Sequence, residues 1–276
     1  MFENYRGTKE DFKAIEEGIR IVWDKKLDFI FRRRSDIKNV GLLSFDSNFF
    51  YLWVPFKFSR LTPEFCGFRN YWFYRVSHKL KIDDYDQMGW WANADKWINF
   101  LPKFLLNNKK IILISGGLLT PFIKIHGKYL KEGYTDIYVS KESYLATIVH
   151  EFAHIYYNSQ PPEIFIQNTN LKYLKTAFSL YKKGRREKLP KIKIHSGFAF
   201  ELWTELFAFC AEYSASSTFW PSFRRNLDFY AQTTLKKLIK TPSFLNSRDP
   251  HTTSLVLGKI LITKYPTTWP VRIFQF

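Results

Sequence analysis

The chemistry of this chain concentrates in one short run, Thr147-Ile148-Val149-His150-Glu151-Phe152-Ala153-His154-Ile155-Tyr156. On a helix, two histidines four apart project from the same face one turn above the other, so both imidazoles can reach one metal ion. Zinc suits such a pair, because it accepts neutral nitrogen ligands in a tetrahedral shell. Glu151 stands one residue from His150. There it can hydrogen-bond a zinc-bound water without ligating, and take its proton as the water attacks a carbonyl. The plain alternative is a helix whose histidines are ordinary core or surface groups. Uncharged residues around and within the motif favour a buried active-site helix instead.

This HExxH run resembles the zincin metallopeptidases. The resemblance implies zinc-dependent hydrolysis of a polypeptide substrate, an α+β zincin-like fold, and an edge strand beside the active-site helix. A catalytic zinc needs a third protein ligand and an open position. The metzincin continuation is absent, since Tyr157 stands where its Gly would be and Gln160 where its last His would be. The downstream run Glu201-Leu202-Trp203-Thr204-Glu205-Leu206-Phe207-Ala208 looks like the gluzincin branch, in which a Glu from a later helix completes the site. By that pattern Glu201 is the ligand, with Thr204 as the small residue three on. Glu205 is then the acid that orients a metal-binding histidine from outside. The reverse assignment, with Glu205 as ligand, stays open. Acids four apart share a helix face, and on a Phe- and Trp-rich helix they are costly to bury without a cation. Glu212, further along, reads as a solvated charge near the helix end. The 47 positions from His154 to Glu201 resemble family members with an insertion there, the lethal-factor-like toxin proteases among them. The resemblance covers about residues 136 to 214.

Such sites also place a Tyr or His near the developing oxyanion. His195, Tyr157, Tyr213 and His126 are candidates among which the sequence does not choose, and His195 stands just before the second helix.

Several elements must position these groups. Helical spacing over Glu10 to Phe31 buries Phe12, Ile15, Ile19, Val22, Trp23 and Phe29, and Arg32 to Arg34 suit the end of that helix. Residues 45 to 80 are strand-rich, and Trp90, Trp91 and Trp97 sit in a short helix capped near Asn93. Strands are expected at Lys110 to Ser115, Phe122 to His126 and Asp136 to Ser140, with a Gly-Gly turn between the first two. Ser140 then caps a helix over Lys141 to Tyr157 that stops at Pro161-Pro162. Residues 160 to 194 are irregular or weakly helical. Ser196 caps a helix from Gly197 to Ser214, Pro221 breaks it, and another helix covers Phe223 to Lys240. The expected organisation is a β-containing lobe over 1–140 and a helical lobe over 141–276, with the active-site cleft between them.

The remaining limits come from composition. Lys and Arg exceed Asp and Glu by 17 in 276 residues, a balance that favours polyanions or acidic surfaces. The densest basic run is Lys182 to Lys188, and nucleic acid is a secondary partner on that basis. Cys66 and Cys210 make no disulfide framework or metal cluster, which suits a reducing compartment. No apolar N-terminal segment resembles a signal peptide, and the longest apolar stretch, Ile111 to Ile125, is too short to span a bilayer. The chain therefore reads as a soluble zinc metallopeptidase. Its rivals are a degenerate zincin serving as a binding or assembly module, and a nucleic-acid-associated protein.

Overall fold

The computed structural model describes residues 5–80, 101–103, 111–132, 136–160, 196–240 and 250–274, the side chains of 115, 196–201, 235–240, 250 and 252–253 excepted. The fold is α+β, and among the described residues it comprises a five-stranded mixed sheet and seven α-helices. The chain divides into two compact units, residues 1–24 with 33–148, and residues 25–32 with 149–276. All the strands lie in the first; the second is helical among the described residues.

The first unit begins with helix α1 (Lys9–Val22), where Thr8 and Asp11 form a capping box. Asp11 is fully buried and does more than cap its own helix. Its carboxylate also accepts from the Tyr5 hydroxyl at 2.5 Å and from the Thr120 amide at 2.8 Å. That amide is an unsatisfied donor in the first turn of helix α2 (Leu119–Lys131), so one carboxylate ties two helix starts together. Helix α1 stops at Val22, short of the expected Phe31, because Trp23 leaves the helical region. Arg34 then donates to the carbonyls of Val22 and Asp24 at 2.6 and 2.7 Å, which satisfies the helix end directly.

Strands β1 (Val40–Phe45), β2 (Phe49–Val54), β3 (Phe65–Cys66), β4 (Trp72–Ser77) and β5 (Ile112–Ser115) form the sheet in the order β3-β4-β2-β1-β5. All neighbours are antiparallel except β1 and β5. Alternation along β2 and β4 sorts the side chains by face. Tyr51, Trp53 and Phe73 meet Phe12 of α1, with Phe12 and Phe73 ring centroids 5.0 Å apart. Phe50, Leu52, Val54 and Tyr74 join Leu43 and Phe45 in the other core.

Two expected strands are something else. Phe122 to His126 belongs to α2, where Phe122, Ile125 and His126 are buried at helical spacing and Pro121 sits in the first turn. A five-residue apolar run does not fix its own period, and the longer pattern decides it. Asp136 to Val139 is not a strand either. The Asp136 carboxylate accepts from the Tyr138 amide at 2.8 Å and lies 2.5 Å from His126 Nδ1, so side-chain bonding replaces a ladder. The expected helix around Trp90, the basic run Lys182 to Lys188 and His195 lie outside the described residues.

Helix α3 (Lys141–Asn158) gives its first half to this unit and the rest to the second. Within the first, α1 approaches α3 at Gly18. A Cβ there would fall 2.3 Å from Ile148 Cδ1 and 3.2 Å from its Cβ.

The second unit is built on helix α4 (Ser196–Phe219), which is apolar around most of its circumference, as a central helix must be. Pro221 starts helix α5 (Pro221–Lys240) as well as ending α4, since proline is tolerated in a first turn. Helices α6 (Pro250–Lys264) and α7 (Trp269–Phe274) complete it. Phe207 of α4 packs on Tyr156, Tyr157, Trp269 and Phe274, and Gly258 lets α6 come close to Cys210.

Alanine normally improves a helix by about 1 kcal/mol over glycine. Gly18→Ala should do the opposite, lowering stability by about 1–3 kcal/mol through overpacking against Ile148, measured by urea unfolding. An unchanged or raised midpoint would mean that α1 and α3 are not in close contact there.

Candidate metal centre

Helix α3 is fixed at its start by Ser140 and Ser143, whose hydroxyls accept from each other's amides at 3.2 and 3.1 Å. A buried run follows from Tyr144 to Val149, so the motif enters the second unit on a helix already anchored in apolar surroundings. The His150 side chain is 10% exposed and that of His154 17%, with ring centroids 4.7 Å apart and Phe209 set edge-on against His150. One ligand atom each from His150, Glu151 and His154 lie within 4.8 Å of one another, close enough to share a metal ion.

Helix α4 brings acids to this pair. Glu205 Oε2 lies 3.4 Å from His150 Nε2 and Oε1 lies 3.5 Å from His154 Nε2. The side chain of Glu201, one turn earlier, lies outside the described residues. Glu205, the alternative ligand by sequence pattern, faces both imidazoles. Glu212 differs more sharply from expectation. It is 1% exposed, and His150 Nδ1 donates to its Oε2 at 3.0 Å. The solvated helix-end reading fails because α4 continues to Phe219, which leaves Glu212 inside the helix. Seven residues after Glu205, it returns to the same face two turns on. With Nδ1 committed to Glu212, Nε2 of His150 is the ring nitrogen that faces Glu205, and it becomes available for ligation once its proton leaves.

One further group was not foreseen. His251, in the first turn of α6, places Nε2 3.3 Å from Glu205 Oε1. It is one of six histidines in the chain, and that scarcity is the only signal in the sequence. The other oxyanion candidates are engaged differently. Tyr213 donates to the Leu227 carbonyl at 3.2 Å, Tyr157 is buried on Phe207 and Phe274, and His126 bonds Asp136 in the first unit.

The electrostatics divide the motif. Burial lowers His150, but the carboxylates of Glu205 and Glu212 outweigh it and leave the imidazole well above its usual range. His154 is pushed down, first by burial and then by the positive His150. Burial raises Glu151 to about 7. Glu205 would be raised by burial, yet the histidines hold it low. Among the described residues, His154 Nδ1, Glu205 Oε2 and Glu212 Oε1 are buried with no hydrogen-bond partner. Two carboxylates, Glu205 and Glu212, face one imidazolium and leave an excess of negative charge, which a divalent cation would neutralise.

Compared with protein-family models, with curated proteins and with solved structures, the chain matches none of them significantly.

Two measurements test the centre. Metal content after loading and dialysis should fall sharply in Glu205→Gln and remain near wild type in Glu201→Gln; the reverse pattern would move the third ligand one turn. Because His150 is raised and so protonated at neutral pH, a metal must displace that proton. Binding should release about one proton, and affinity should rise about tenfold per pH unit between pH 6 and 8. Calorimetry in buffers of different ionisation enthalpy reads this directly, and no proton release would mean His150 is not a ligand.

Proposed function

We propose that the chain is a zinc-dependent metallopeptidase of zincin-like fold, with His150, His154 and Glu205 as metal ligands and Glu151 as the general base. The observation that carries this reading is the approach of the Glu205 carboxylate to both Nε2 atoms, at 3.4 and 3.5 Å. Charge-assisted hydrogen bonds between such groups are about 2.7–2.9 Å long. Tetrahedral zinc with bonds of about 2.0–2.2 Å sets its donor atoms about 3.3–3.6 Å apart. The longer spacing, Oε2 toward His150 and Oε1 toward His154, supports donors set around an ion, and the buried Glu205 Oε2 without a partner fits that reading. Two imidazoles and a carboxylate also leave a position open for substrate or water.

When bound, zinc would supply Lewis acidity that polarises a carbonyl and acidifies water. The protein's own groups do the rest. Glu212 fixes the ring of His150 through Nδ1. Glu151, raised by burial, is basic enough to take a proton from the attacking water near neutral pH and to return it to the leaving amine. His251 borders Glu205 and is more than half exposed, so it can meet a substrate as well as the metal site.

Glu151→Gln keeps the shape and removes the base. It should retain zinc and lose about 10²–10⁴-fold in turnover of a quenched-fluorescence peptide library, the contribution expected of a general base. Wild-type turnover by that variant would remove Glu151 from the mechanism. A zinc-loaded wild type that cleaves no peptide would leave a metal centre without peptidase activity.

A further inference from the structure

Glu205 offers its two oxygens to different neighbours. Oε2 lies 3.4 Å from His150 Nε2 and is buried with no hydrogen-bond partner among the described residues. Oε1 lies 3.5 Å from His154 Nε2 and 3.3 Å from His251 Nε2. His251 differs from the motif pair in what matters to a metal. His150, Glu151 and His154 each bring a ligand atom within 4.8 Å of the others, and His251 is outside that group. It comes from the first turn of another helix, α6, and its side chain is 59% exposed. What it approaches is the carboxylate, at one oxygen only.

We propose that His251 is a positioning residue for Glu205, with its Nε2–H donating to Oε1 so that Oε2 is the oxygen left for the metal. This rests on the reading of Glu205 as the third ligand. A glutamate on a helix has several rotatable bonds, and a ligating carboxylate keeps one orientation when the oxygen that the metal does not take is hydrogen-bonded elsewhere. The separation of 3.3 Å is just beyond the ordinary N–H···O range of about 2.7–3.2 Å. Bonds of this kind are often long until a site is filled, and a small rotation of an exposed imidazole closes the gap. The backbone that carries His251 is itself fixed on α4. Ser254, three residues on and fully buried, donates to the Leu202 carbonyl at 3.1 Å, three residues before Glu205. Gly258 then brings α6 against Cys210. Helix α6 thus supports the centre without supplying a ligand, as Glu212 does for His150 from inside α4.

The test is the zinc affinity of the full chain, with X-ray absorption counting the imidazoles on the metal. Wild type should show two. His251→Ala should also show two, with the zinc dissociation constant raised about 10–100-fold, the loss expected when an outer partner of a ligand is removed. His251→Gln keeps an N–H donor of similar reach and should recover most of that loss, which a change in bulk or packing alone would not predict. Circular dichroism verifies the fold of both variants. Unchanged affinity in His251→Ala, equal loss in both variants, or a third imidazole in wild type would each overturn the positioning role while the centre itself stands. A wild type that takes up no zinc under any loading condition would overturn the centre, and the role of His251 with it.

Discussion

The second unit depends on a single constraint, the burial of two carboxylates on a helix that is otherwise apolar. Leaving either Glu205 or Glu212 unpaired in such surroundings would cost several kcal/mol. His150 answers both, with Nδ1 on Glu212 at 3.0 Å and Nε2 facing Glu205 at 3.4 Å. Apolar contacts alone would tolerate many registers of α3 against α4, because α4 shows Phe, Leu, Ala and Trp on every side. The carboxylates do not tolerate them. A one-residue slip would turn both acids away from His150 by about 100°. The polar contact therefore selects the register, and packing of Phe207 on Tyr156 and Tyr157 fills the interface so selected.

Buried carboxylates elsewhere in the molecule show what completion looks like. Asp11 accepts from the Tyr5 hydroxyl, the Thr8 amide and hydroxyl, and the Thr120 amide. Asp46 accepts from the amides of Gly7, Asn48 and Phe49 and from the Tyr51 hydroxyl. Both are structural knots with their oxygens fully engaged. Hydroxyls inside α4 are equally settled, since Ser216, Ser217 and Thr218 bond back to carbonyls four residues earlier. Against that standard Glu205 Oε2 and Glu212 Oε1, each without a hydrogen-bond partner among the described residues, mark an environment built for something further.

How much of this is legible in the sequence depends on where each constraint lives. The pairing of His150 with His154 is intrinsic to one helix, so spacing alone reveals it. The first strands and the Ser140 start are local too. The acid that faces the pair is not, because it is decided by the register of two helices distant in sequence. Glu212 was obscured by a helix end placed at Ser214 instead of Phe219, an error of five positions that turned an interior residue into a terminal one. Asp136 to Val139 looked like a strand because Ile, Tyr and Val alternate well. The Asp136 side chain, bonding the Tyr138 amide, competed successfully with the ladder. His251 belongs to a tail with no strong period, and only three-dimensional proximity singles it out.

Within the motif itself, three adjacent groups are driven to three different protonation states by one environment. Burial acts on all of them and always against charge. For His154, beside a positive His150, that leaves a neutral imidazole whose lone pair is available. For Glu151, the same desolvation makes a carboxylate basic enough to accept a proton near pH 7. His150 alone escapes, because two carboxylates face it and their attraction exceeds the cost of burying an imidazolium. Its proton balances Glu205 and Glu212, the charge a metal ion on the same nitrogen would balance. That balance explains how two carboxylates can be buried on one apolar helix. It also puts the base within reach of the ion's field, where a dication would draw Glu151 back toward its ionised, proton-accepting form.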